Sequence, residues 1–143
     1  MQKISIRVYY EDTDFSGVVY YASYLRFLER GRTELLRTLG IEHSSLMESG
    51  IYFVVRAMTI EFLRPALMDD ELSIITNMTA LHGASLDMLQ EIRREMALLL
   101  TAKVKVAVTA GGKACRVPSS IRTRLLTKAQ GASGHLTPPH RGT

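Results

Sequence analysis

Over residues 19–39 apolar side chains recur at helical spacing, while most other apolar runs in this chain alternate. Tyr21, Tyr24, Leu25, Leu28, Leu35 and Leu39 share one face, with Arg32 among them; Arg26, Arg30, Glu34 and Arg37 line another. Gly40 follows the last apolar position and offers a left-handed cap. A helix of about five turns with one apolar stripe must cover that stripe with something. The rest of the pattern supplies mainly strands, so an α+β arrangement is expected, an antiparallel sheet wrapped on one helix.

The strand readings are of unequal clarity. Ile4, Ile6, Val8 and Tyr10 alternate with Ser5, Arg7 and Tyr9. Residues 54–63 read as a long strand stopped by Pro65. Leu72, Ile74, Thr76 and Met78 begin another, and His82-Gly83 marks a turn. Residues 86–100, LDMLQEIRREMALLL, have strong helix propensity, yet Leu86, Met88 and Ile92 also fit period two. Ala102, Val104, Val106 and Val108 alternate with Thr101, Lys103, Lys105 and Thr109, and Gly111-Gly112 ends that run. Residues 118–128 read as one short helix. The domain is therefore drawn at 1–128, and the small, polar, Pro-rich tail 129–143 is expected to be disordered.

Charge is divided along the chain. Residues 1–95 hold all 14 acids against 10 bases, whereas residues 96–143 hold 8 bases and no acid. A nucleic-acid binder would not confine its basic charge to one C-terminal third, so nucleic acid is not expected as a partner. An anionic ligand or surface met by that third stays open. The lone Cys115 excludes a disulfide framework and fits a reducing compartment. The N-terminus becomes charged too soon for a secretory h-region, and Lys103 and Lys105 interrupt the most apolar stretch, 96–110. No membrane span and a cytoplasmic location are expected.

The sequence holds no nucleophile elbow, Walker A loop, dinucleotide fingerprint or zinc-protease motif. His43, His82, His135 and His140 show no ligand spacing, so neither a metal nor a cofactor is expected. Cys115, beside Arg116, reads as a small buried thiol.

The informative segment is residues 10–34, YEDTDFSGVVYYASYLRFLERGRTE. Glu11, Asp12 and Asp14 crowd the loop before the helix, where acids commonly satisfy first-turn amides. Ser16 is itself a competent cap, which leaves Asp14 free to face a ligand. Gly17 permits close backbone approach, and the amides near residues 19–21 can bind an anion or a developing oxyanion. A carboxylate opposite such amides is a kit for attacking an acyl carbonyl. Glu29 is a second carboxylate, read mainly as an ion-pair partner of Arg32 or Arg26. Gly31 inside the helix costs roughly 1 kcal/mol relative to Ala, which points to close packing there.

Asp12-Thr13-Asp14, Gly17-Val18-Val19-Tyr20, Tyr24, and Glu29 with Arg32 resemble the 4-hydroxybenzoyl-CoA thioesterase branch of the hotdog-fold superfamily. The match is nearest to the bacterial acyl-CoA thioesterases associated with the Tol-Pal envelope system. Residues 53–74 and the GxSL run 83–86 extend it, to about residues 5–127. The resemblance implies a five-stranded antiparallel sheet around one long central helix, joined edge to edge as a homodimer or homotetramer. It also implies that residues 86–96 are strand.

The same resemblance implies hydrolysis of acyl-CoA thioesters, with Asp14 as nucleophile or general base and the Tyr21 backbone amide polarising the carbonyl. Tyr21 stands where many relatives carry His. Gly17 and Val18, Thr59 on the long strand, and His82, Gly83 and Ser85 at the later turn are the substrate-binding candidates. Lys103, Lys105, Lys113 and Arg116 are available for the CoA phosphates. Two other readings are carried forward. One is a non-catalytic scaffold binding acyl-CoA or acyl carrier protein, linked to envelope or lipid metabolism. The other is a basic peripheral protein held to membrane or nucleic acid by residues 96–143.

Overall fold

The central helix forms where the periodicity puts it. In a computed structural model that describes residues 1–131, α1 spans Tyr21–Arg37 and buries Tyr24, Phe27, Leu28, Leu35 and Leu36 along one stripe. It starts two residues later than the spacing predicts, because Val18 and Val19 are held in backbone bridges to Leu67 and Thr13. Gly40 takes the left-handed conformation (φ +74°) and the Ile41 amide donates back to Leu36 O, closing the helix.

The strands are β1 (Gln2–Arg7), β2 (Ile51–Phe62), β3 (Glu71–Leu81), β4 (Ser85–Arg94), β5 (Ala97–Ala110) and the two-residue β6 (Lys113–Ala114). They make one sheet in the order β1-β3-β4-β5-β2, with β6 paired to β5 and every pairing antiparallel. The five strands implied by the family resemblance are thus present, with β6 added as a short hairpin. A 3-10 turn (Tyr10–Asp12) follows β1, and α2 (His43–Glu48) leads into β2.

Period two prevails over helix propensity in residues 86–100. Leu86, Met88 and Ile92 of β4, and Leu100, Ala102, Val104, Val106 and Val108 of β5, are all buried. Burying one such large side chain is worth about 1.5–3 kcal/mol, against a few tenths of a kcal/mol per residue of propensity. Glu95 turns the chain between the two strands with φ +54°.

α1 packs against β1 and β3, and Gly31 marks its closest approach to the sheet. Gln90 of β4 reaches up there and donates to Leu28 O and Thr76 Oγ1, both at 2.9 Å, while Arg32 Nη1 donates to Gln90 Oε1 (3.0 Å). α3 spans Ser119–Gly131, which carries helix past the expected end at 128. Arg122 Nη2 donates to His82 O and Gly83 O, and Arg124 Nη1 to Gly40 O, so α3 ties the β3–β4 turn to the end of α1. The remainder of the tail expected to be disordered, 132–143, lies outside the described residues. Among the described residues no helix is long and apolar enough to cross a membrane.

Candidate active site

Asp14 sits on a tight loop just ahead of α1. Residues 14–17 form a turn in which the Gly17 amide donates to Asp14 O (3.0 Å), and the Asp14 amide donates to Val18 O (2.9 Å). Gly17 adopts φ +85°, a conformation that side-chain-bearing residues rarely take, so glycine suits this corner. The turn places Phe15 at the tip, fully solvent-exposed.

Ser16 does not cap the helix. The N-cap is Tyr20, whose side chain makes no capping bond, and Ser16 instead turns back on the aspartate. Its amide (2.8 Å) and hydroxyl (2.5 Å) both donate to Asp14 Oδ1. The Ser16 hydroxyl foremost, then its amide, hold the Asp14 carboxyl below its ordinary value of 3.8. Asp14 is therefore a carboxylate at neutral pH.

The loop sorts its acids. Asp12 is buried (8% exposed) and structural: its Oδ2 accepts from the Tyr9 amide (2.9 Å) and its Oδ1 from Arg26 Nη2 (3.0 Å). Its carbonyl accepts from the Tyr20 amide and from Ser23 Oγ. Asp12 thus locks the loop to the first turn of α1, and Asp14 is left at the opening. That corrects the expected pairing of Arg26 with Glu29. Arg32 likewise turns to Gln90, where burial lowers its pKa and the charge of Glu29 acts against that shift.

Asp14, Val18 and Tyr21 line one cleft of about 370 Å³ with Val19, Tyr20, Tyr24, Phe62, Leu63, Arg64 and Pro65. Tyr21 packs on Phe62 (ring centroids 5.0 Å apart), and so does Tyr24 (5.6 Å). Tyr24 Oη accepts from the Ala66 amide (2.9 Å), and burial raises its pKa. Sequence reasoning took Tyr24 as a helix position and part of the family motif, and Phe62 and Leu63 as strand positions. Arg64, a cation in this cleft, it did not single out. The signal for Arg64 was its place before Pro65, where β2 must turn away at the helix start.

The other candidates are not brought to this cleft within one chain. Thr59 lines a separate cavity of about 360 Å³ with Asp87, Lys103 and Lys105. At the turn between β3 and β4, His82 Nε2 lies 2.9 Å from Asp87 Oδ2, and the His82 amide donates to Ser85 O. Gly83 faces the Arg116 guanidinium. Gly17 is not among the cleft's lining residues; its carbonyl accepts from the Met68 amide (3.1 Å). Cys115 is half-buried, less so than the small buried thiol expected: it directly follows the two-residue edge strand β6, its amide donating to Val108 O (2.8 Å).

A long helix wrapped by this antiparallel sheet, with a carboxylate loop ahead of the helix start, is a hotdog fold. The chain belongs to the thioesterase-like superfamily, whose family profile matches residues 8–125. Over 125 residues it is 45% identical to the acyl-CoA thioester hydrolase YbgC of Escherichia coli O6:H1, covering 87% of this chain and 88% of that one. It is 44% identical to the acyl-CoA thioesterase YbgC of Haemophilus influenzae, covering 76% and 80%. The crystal structure of a probable thioesterase from Bartonella henselae superposes with a TM-score of 0.77 at 47% identity, covering 81% and 98%.

Proposed function

We propose that this chain hydrolyses acyl-CoA thioesters at the Asp14 cleft, with Asp14 as the nucleophile. The observation that carries the reading is that an ionised Asp14 lines the same cleft as Tyr21, the first residue of α1. A carboxyl held below its ordinary value is a weak general base near neutral pH, yet it is ready to attack. One carboxylate oxygen attacks the thioester carbonyl carbon while the Tyr21 amide, at the positive end of the helix, stabilises the developing oxyanion. The C–S bond breaks, coenzyme A leaves as its thiolate, and an acyl-aspartyl anhydride remains. Water then cleaves the anhydride, releasing the free acid and regenerating Asp14.

The aromatic walls formed by Tyr20, Tyr24 and Phe62 suit an apolar acyl group. Arg64 at the cleft is the cation we assign to the nucleotide phosphates. β2 supports association as a homo-oligomer: it is an outer strand of the sheet, twelve residues long, with Tyr52, Val54 and Val55 exposed along it. A reducing, cytoplasmic setting agrees with the lone Cys115. Acyl carrier protein is kept as a second thioester donor.

Asp14→Asn tests the reading. The variant is expected to fold as the parent does and to lose at least about a thousandfold in thiol release across acyl-CoA and acyl-carrier-protein thioesters. An Asn variant with parental turnover removes Asp14 from the mechanism. A parent that binds these thioesters without releasing thiol establishes the scaffold reading instead.

A further inference from the structure

We infer that Ser16 is a positioning residue for Asp14, clamping one carboxylate oxygen so that the other is presented to the cleft. This rests on the reading of Asp14 as the nucleophile. Four observations carry it.

Both Ser16 donors, hydroxyl and amide, converge on the same atom, Asp14 Oδ1. Among the described residues Oδ2 accepts no well-formed hydrogen bond, the Val18 amide being a third and weaker donor to the carboxylate. The backbone on either side is also fixed, by Gly17 N–H to Asp14 O and by Asp14 N–H to Val18 O. The carboxylate is therefore held within its own turn, which the Met68 amide on Gly17 O and the Val18–Leu67 bridge anchor to the rest of the chain. The hydroxyl has no competing duty, since α1 begins at Tyr21, five residues further on, with Tyr20 at its N-cap.

The chemical consequence is twofold. A carboxylate attacks a carbonyl carbon only when a lone pair of one oxygen is aimed at it, and a freely rotating exposed aspartate spends little time so aimed. Two donors on Oδ1 remove that rotation and leave Oδ2 as the attacking atom. Charge-assisted bonds of this kind also favour the ionised form and are the main cause of the lowered carboxyl pKa of Asp14.

Ser16→Ala deletes one donor and keeps the amide; Ser16→Thr keeps both. Two measurements are made on each: steady-state thiol release from an acyl-CoA, and a carboxyl-carbon NMR titration of Asp14. Ser16→Ala is expected to lower kcat roughly tenfold at pH 7 with KM unchanged. Its Asp14 midpoint is expected to move up, towards the ordinary carboxylate value. Ser16→Thr is expected to restore both readouts. An alanine variant with parental kcat or with an unmoved midpoint overturns the inference, as does equal loss in both variants, which would mark crowding of the turn. If Asp14→Asn is inactive while Ser16→Ala is unaffected, this inference alone fails. If Asp14→Asn is active, the catalytic reading fails first and takes the inference with it.

Discussion

Replacing Gly31 with alanine probes how closely α1 sits on the sheet. A Cβ built there would lie 2.7 Å from Thr76 Oγ1, 2.8 Å from Ile74 Cγ2 and 3.0 Å from Gln90 Nε2. Comfortable contacts between such atoms lie at about 3.5–4.0 Å. The three neighbours are fully buried on adjacent inner strands, and Gln90 is held by Leu28 O and Thr76. Relief therefore requires lifting the helix or breaking the Gln90 bonds. Propensity alone favours alanine by about 1 kcal/mol. Overpacking opposes it with about 1–3 kcal/mol, and disturbing the Gln90 network, which includes the Arg32 cation, adds about 1–3 kcal/mol. The net expectation is a destabilisation of about 1–5 kcal/mol, or a fall in Tm of about 3–15 °C for a chain of this size. Calorimetry or urea denaturation at one fixed protein concentration reads it, since association contributes to apparent stability. An alanine variant as stable as its parent, or more so, would refute the close approach and with it the explanation of this glycine.

Two further outcomes follow from the loop. Because hydrogen bonds from Ser16 lower the Asp14 pKa, the ionised form persists as pH falls through the ordinary carboxylate value of 3.8. The profile of kcat/KM should thus stay flat from about pH 7 down to about pH 5; an acid limb centred between those values would contradict attack by this carboxylate. Asp12→Ala leaves the Tyr9 amide and Arg26 without their partner, and is expected to destabilise the chain by about 1–3 kcal/mol. An unchanged melting temperature would show that Asp12 does not lock the loop.

Much of this fold is legible in the residue pattern. The period of 3.6 through α1 and of two through β5 reports which face of each element is buried, and burial is the largest local consequence of the tertiary fold. The unusual glycine in the helix is legible for the same reason, as a cost that only close packing offsets. Hydrogen-bond partners are less legible, because they come from residues remote in sequence. Arg32 turns to Gln90, 58 positions away, and Arg26 reaches back to Asp12. No helical spacing rule contains either pair, which is why Glu29 reads as their partner on spacing alone.

The acidic loop shows the division most clearly. The sequence by itself determined that three carboxylates precede one long helix and that a glycine corner stands between them. It also determined one inner helix against an antiparallel sheet, because no other covering for the apolar stripe is encoded. Only the tertiary structure decided that Asp12 is buried in the lock between loop and helix while Asp14 stands at the cleft. The physical reason is the left-handed Gly17 corner: it turns Ser16 away from the helix and onto Asp14, and directs the two aspartates to different surroundings. Burial of Leu86, Met88 and Ile92 beneath α1 likewise decided β4 against its own propensity, since several kcal/mol of buried surface outweigh tenths per residue.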